Sequence, residues 1–180
     1  MAEQEIRIPM KRIGALIGKK GETKRLIEER TGVTIDIDSE EGIVIIKGED
    51  TIGVMNANDI VTAISRGFSP ERAFSLLEDE DLVLDLIDLG DISKSQKQLE
   101  RYRGRIIGKE GRARDQMEDL TGIMISVYGK TVAMIGTAEQ INTTRTAIDM
   151  IIRGVPHEAV YSFLDKKNKE AKKDILSYYY

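Results

Sequence analysis

The chain has no cysteine and no tryptophan, and its 180 residues include a single histidine, His157. Without cysteine there is no disulfide framework, no thiol nucleophile and no thiolate-ligated metal. One histidine excludes a His-pair zinc motif and argues against a histidine-based catalytic triad. Long apolar runs are missing too. No segment spans a bilayer and the N-terminus has no apolar signal core, so the chain is expected to be soluble and cytoplasmic, with no membrane contact. What is present is globular in character, with 41% hydrophobic and 32% charged residues. The length fits one ordinary domain or two small ones. A formal net charge of −4 argues at first sight against nucleic acid, but the distribution of that charge reverses the argument.

Self-similarity organises the chain. Residues 13–38 (IGALIGKKGETKRLIEERTGVTIDID) align without a gap to residues 103–128 (RGRIIGKEGRARDQMEDLTGIMISVY), and nine of the 26 pairs are identical. The identities are Gly14/Gly104, Ile17/Ile107, Gly18/Gly108, Lys19/Lys109, Gly21/Gly111, Glu28/Glu118, Thr31/Thr121, Gly32/Gly122 and Ile35/Ile125. Further on, Arg66-Gly67 corresponds to Arg153-Gly154. The expected division is one copy over 1–78, a second over 79–165, and a lysine-rich tail over 166–180.

Each copy reads as β-α-α-β-β-α, giving an α+β fold in two tandem units, each followed by a short extra helix. Ile6 and Ile8 alternate at the start, and Val33, Ile35 and Ile37 alternate with Thr34, Asp36 and Asp38, as half-buried strands do. The segment 51–66 reads as a helix carrying Ile52, Met55, Ile60, Ala63 and Ile64. Ser69-Pro70-Glu71 is a helix start, and Pro156 is expected to play a similar part in the second copy. His157 is expected to be exposed in that helix's first turn.

Both copies carry Gly-x-x-Gly between two helical segments: Gly18-Lys19-Lys20-Gly21 and Gly108-Lys109-Glu110-Gly111. Glycine removes side chains so that another backbone approaches closely, and the following helix directs amide N–H groups and its positive dipole end at the same place. A phosphate backbone suits such a loop. Apolar positions beside it, Ile17 and Ile35 in one copy and Ile107 and Ile125 in the other, with Gly14 and Gly104, are candidate walls of a groove for unstacked bases. Residues 11–25 hold six basic residues against Glu22, among them Lys24 and Arg25, and residues 101–114 hold six against Glu110, among them Arg103, Arg105, Arg112 and Arg114. Acidic residues gather instead in 78–91. Because salt screens charges beyond roughly 8–10 Å, local charge outweighs the net value.

The pattern I-G-x-x-I/L-I-G-x-x-G, a basic helix and then T-G-x-x-I resembles the KH domain, and the element order resembles its type I form. That resemblance covers most of the chain. It implies a clamp on about four nucleotides of single-stranded nucleic acid. Two such copies in a short chain, with Arg-Gly-Phe-Ser-Pro-Glu after the first and Arg-Gly-Val-Pro after the second, resemble the archaeal small-ribosomal-subunit assembly factors related to the eukaryotic "partner of Nob" family. The resemblance extends to basic residues, Lys24 and Arg114, at the third position after each loop. It implies binding of small-subunit rRNA near its 3′ end. Eukaryotic members typically lack a good first Gly-x-x-Gly loop, which this chain keeps, so the sequence leaves open whether one copy binds or both.

Other chemistries fit poorly. Gly14-x-x-x-Gly18-Lys19 is one residue short of a P-loop and lacks the following Ser or Thr. The acidic stretch lacks calcium-loop spacing. Asp36 and Asp38 are better read as the polar face of a strand than as catalytic carboxylates. No enzyme, cofactor or metal is expected. The chain is expected to be a monomer, with a ribosome-assembly or translation protein as a further partner. The alternative is an adapter in ribosome assembly or translation that holds its partner through the grooves or acidic strip.

Overall fold

A computed structural model describes residues 1–180 and divides them into two compact units, Met1–Leu84 and Asp85–Tyr180. The first unit contains β1 (Ala2–Arg7), α1 (Met10–Ile17), a 3-10 turn over Lys19–Gly21, α2 (Glu22–Thr31), β2 (Thr34–Asp38), β3 (Ile43–Gly48), α3 (Thr51–Ser65) and α4 (Pro70–Glu78). The second contains β4 (Val83–Asp88), whose first two residues group with the preceding unit, and a short α5 (Leu89–Ile92). It continues through α6 (Gln96–Ile107), a 3-10 turn over Lys109–Gly111, α7 (Arg112–Thr121), β5 (Met124–Tyr128), β6 (Thr131–Gly136), α8 (Ala138–Ile152) and α9 (His157–Tyr179). The β-α-α-β-β-α order predicted for each copy is present in both.

Each unit has a three-stranded sheet in which the last strand in sequence takes the centre: β1-β3-β2 and β4-β6-β5. In the first, β3 is antiparallel to both neighbours, with Ala2 opposite Gly48 and Thr34 opposite Lys47. β2 and β5 are therefore edge strands, as are β1 and β4. In the second unit every residue of β6 is buried, as expected of a central strand covered by helices. Leu16, Ile27, Ile35, Ile46, Ile60 and Ile64 are fully buried in the first core, and Ile106, Met117, Ile125, Met134 and Ile148 fill the second. Burying each such side chain stabilises the fold by about 1.5–3 kcal/mol relative to leaving it exposed.

Helix boundaries follow local chemistry. The Asp50, Ser69 and Ser95 side chains accept from the backbone N–H groups of Ile52, Arg72 and Gln98, and Thr137 forms a reciprocal capping box with Gln140. Gly32 and Gly122 end α2 and α7 in the left-handed conformation.

Four expectations are revised. Ile52 and Met55, counted among the apolar residues of α3, point to solvent at 67% and 61% exposure, while Gly53, Val54 and Ala57 take the inner face. The helical period places 54, 57, 61 and 64 on one stripe, which leaves 52 and 55 outside it. The helix appended to the second copy runs on through the lysine-rich segment as one 23-residue element. Pro156 is the residue before α9 rather than its first. His157 is half-buried, and its Nε2 lies 2.7 Å from the Arg105 carbonyl oxygen.

Candidate nucleic-acid interface

Each Gly-x-x-Gly loop joins two helices through one tight turn, and the two turns have the same backbone. Gly18 and Gly108 both lie at φ 74°, with ψ 176° and 175°. That region is essentially closed to residues with a side chain. A Cβ on Gly18 would collide with Thr23, and one on Gly108 would come within 2.7 Å of the Ala113 backbone nitrogen. Lys20 and Glu110 follow at φ 55° and 56°, the only non-glycine residues of the chain with positive φ. Gly21 and Gly111 complete the turn in the left-handed region, with their N–H groups 3.2 Å from the carbonyls of Gly18 and Gly108. A left-handed lysine or glutamate costs about 1–2 kcal/mol. Both loops hold that strained conformation at the same step.

The turn delivers the chain to the start of α2 and α7, whose first turns no side chain caps. Amide N–H groups and the positive helix end therefore meet beside Lys19 and Lys20 in one unit and Lys109 in the other, all exposed. Arg25 holds the first turn from below, with Nη2 donating to the Lys20 carbonyl at 2.9 Å and Nε to that of Gly21 at 3.3 Å. Asp115 takes that position in the second unit and pairs with Arg114 at 3.1 Å. The second turn thus keeps its geometry without an arginine beneath it. Glu110 is exposed inside the second loop and subtracts from its positive field. Arg112 is exposed beside it.

The helix preceding each loop forms the wall. Gly14 and Gly104 are exposed, with open space where a Cβ would stand, so bare backbone faces outward one turn before the loop. Ile17 and Ile107 are half-buried at the helix ends. These positions, the loop glycines and the loop lysines are brought together in each unit.

Other predicted residues lie elsewhere. The side chains of Ile35 and Ile125 are buried in the two cores. These residues turn inward because the apolar face of the edge strand is covered by the helices, and the apolar stripe of the helix before each loop faces the core. The guanidinium of Arg105 is directed at the end of α8, donating to the carbonyls of Ile151 and, at 2.9 Å, Val155. Arg103 is half-buried with its Nε enclosed. Lys24 is half-buried and pairs with Glu28 at 3.4 Å.

Two features escaped the sequence reading. Arg12 donates to the carbonyls of Ile64 and Phe68, both at 2.8 Å. These are the repeat equivalents of the carbonyls that Arg105 caps, reached from a different position on the first helix. The second feature is an acid on each basic helix. Glu28 Oε2 accepts the Ile35 N–H at 2.9 Å, and Glu118 Oε2 accepts the Ile125 N–H at 2.7 Å. The signal was available: Glu28/Glu118 is one of the nine repeat identities.

No group of three or more Asp, Glu, His or Cys side chains is placed to hold a metal ion, and no helix is long and apolar enough to cross a membrane. Residues 83–169 match the family described as Eukaryotic type KH-domain (KH-domain type I), and residues 3–63 match the KH domain. KH domain-containing protein MJ0443 of Methanocaldococcus jannaschii is 43% identical over 171 residues, covering 93% of this chain and 75% of that protein. Pre-rRNA-processing protein pno1 of Emericella nidulans is 31% identical over 119 residues, covering 65% of this chain but 46% of that protein, so the match spans about half of the fungal relative. A chain in the crystal structure of the a/eIF2alpha–aDim2p–rRNA complex from Pyrococcus horikoshii is 50% identical. It has a TM-score of 0.87 and covers 94% of this chain and 95% of that one.

Proposed function

The chain belongs to the tandem KH-domain proteins, and from that premise we propose that it binds single-stranded RNA, namely small-subunit rRNA near its 3′ end during ribosome assembly. The observation that carries this reading is the duplicated loop. The same strained turn occurs twice, each time opening onto an uncapped helix start beside exposed lysine. A backbone phosphate at each turn would accept amide hydrogen bonds and be neutralised by Lys19 and Lys20 or by Lys109. The bare helix surface at Gly14 or Gly104 gives a base room to lie beside it, flanked by Ile17 or Ile107. Because the turns agree to within a few degrees at Gly18 and Gly108, Lys20 and Glu110, and Gly21 and Gly111, both units are read as binders. Lys24, Arg25, Arg112 and Arg114 add flanking charge.

The pre-rRNA-processing protein and the rRNA-containing complex among its relatives support this RNA class. The presence of a/eIF2alpha in that complex supports a second contact, with a translation-factor protein, as part of the same reading. A non-enzymatic, monomeric and cytoplasmic role completes it.

The test is a binding titration with a short single strand copying the 3′ end of the small-subunit rRNA, against a scrambled control. Lys19→Asp with Lys20→Asp is expected to weaken binding at least tenfold, since two phosphate contacts at about 1 kcal/mol each are replaced by repulsion, and Lys109→Asp, which removes one, about fivefold. Unchanged affinity in folded variants removes the clamp at that loop. Partner binding retained without any RNA binding makes the chain an adapter.

A further inference from the structure

We propose that the outer face of α9 is a second RNA-binding surface, which takes a single strand beyond the length that a loop clamps: its lysines hold phosphates and its terminal tyrosines stack on bases. The proposal rests on the RNA-binding reading above and extends it to a surface that shares no residue with either loop.

Helix α9 outlasts the body it packs on. Val160 and Leu164 are buried in the second core, but every residue from Lys172 to Tyr180 is exposed. The segment 166–173 (KKNKEAKK) holds five lysines against Glu170. At about 100° of turn per residue, Lys166, Lys169, Lys172, Lys173, Leu176 and Tyr179 fall on one side of the helix, within an arc of about 140° that excludes Leu164. All six are exposed. Glu170 and Asp174 lie on the other flank. The fifth lysine, Lys167, is turned to that acidic flank and pairs with Glu170 at 3.6 Å. Of the four on the basic side, Lys169 is ion-paired, with Asp165 at 3.0 Å, and an exposed pair of this kind holds a lysine weakly. Charge is therefore sorted across the helix.

Two kinds of group on this side point to a nucleic-acid strand rather than to an acidic protein. Lysines alone would suit either partner. The chain then ends in exposed tyrosines, with Tyr179 at 76%, Tyr180 fully open, and Tyr178 edge-on to Tyr179 at 5.6 Å between ring centroids. A row of cations leading to open aromatic rings is the pairing that single-strand binders use: charge tracks the backbone, and rings stack on bases of any sequence. The helix is also placed to receive a strand leaving a loop. At its start the His157 Nε2 lies 2.7 Å from the carbonyl oxygen of Arg105, just ahead of Gly108. Lys166 and Tyr179 are about 14 and 33 Å of helix rise further on. Only a strand several nucleotides longer than the clamp covers both.

The experiment uses the full chain with single-stranded U6 and U18 RNA, each titrated at several salt concentrations. One variant is Lys166→Gln with Lys169→Gln, Lys172→Gln and Lys173→Gln, which keeps helix propensity. A second is Tyr179→Ala with Tyr180→Ala. A longer strand also offers more registers to the loops, and both variants keep that gain. The lysine variant is expected to bind U18 about tenfold more weakly than the unaltered chain, with a salt slope shallower by about 1.4 or more, the mark of at least two phosphates. The tyrosine variant should lose about fivefold on U18 with no change of slope. Both should bind U6 as the unaltered chain does. Equal affinity for U18 in all three chains overturns the proposal. So does an equal loss on U6 and U18, and so does a lysine effect without a tyrosine effect, which leaves a charged surface with no stacked strand. The loops are read separately. If a chain with Lys19→Asp, Lys20→Asp and Lys109→Asp keeps full affinity for U6, the loop clamp fails while the α9 surface stands on its own U18 result. If neither strand binds the unaltered chain, both readings fall.

Discussion

Glycines of the same repeat do opposite work at single residues. Gly18 and Gly108 sit where the backbone forbids a Cβ, and each is closed in by the next helix. Gly14 and Gly104 sit in ordinary helix with nothing above them. The two kinds of site predict opposite responses to alanine. Gly18→Ala or Gly108→Ala should destabilise its unit by about 2–3 kcal/mol, through backbone strain and the forced shift of Thr23 or Ala113. Gly14→Ala should instead raise stability by about 0.5–1 kcal/mol, because alanine is the better helix former, while weakening RNA binding by covering the helix surface. Urea midpoints and a binding titration on the same preparations check both. A Gly14→Ala chain that binds as well as before places the bases somewhere else.

Elements decide which arginines face solvent and which belong to the fold. The helix before each loop, α1 or α6, carries one arginine aimed at the end of the long closing helix, where terminal carbonyls have no helical partner. Arg12 reaches Ile64 and Phe68, and Arg105 reaches Ile151 and Val155. Their positions in the repeat differ, yet the carbonyls are equivalent. Two basic runs that look alike in sequence therefore each hide one structural cation. Arg105→Leu should lower the stability of its unit by about 1–3 kcal/mol, since it strands part-buried carbonyls. It should leave the dependence of RNA affinity on salt unchanged. Thermal denaturation together with a salt titration separates this outcome from that of Arg112, whose exposed guanidinium is free to meet a phosphate.

Across the whole molecule, a net charge of −4 is compatible with the proposed phosphate clamp because field at a site is set within a Debye length, about 8 Å at physiological salt. Affinity for a single strand should fall linearly on a log–log plot against salt, with a slope of about −0.7 for each phosphate neutralised. Lys109→Ala should make the slope shallower by about 0.7, and Lys19→Ala with Lys20→Ala by about 1.4. A salt-independent affinity would mean that the loops do not hold phosphate. Each unit reaches its site by the same route: a central third strand leaves β2 or β5 at the edge, and the second helix lies beside that edge. The acids Glu28 and Glu118 bridge the two.

The sequence alone determined the duplication, the element order, the loops and their lysines. These depend on local spacing: glycines three apart, apolar alternation along strands, and basic residues clustered within one turn of each loop. Tertiary structure alone decided which side chains look out. Ile35 and Ile125 read as groove wall or core with equal ease, because an edge strand alternates identically either way. Packing against the helices buried their side chains, and their N–H groups donate to Glu28 and Glu118 instead of to the central strand. The sequence likewise counts Arg12, Arg105 and Lys19 as equal charges. Only the chain's return at the end of α3 and α8, more than 40 residues downstream, brings carbonyls to two of them and leaves Lys19 in solvent. Hydrogen bonds between residues so far apart leave no periodicity in the sequence, so they become visible only once the backbone is placed.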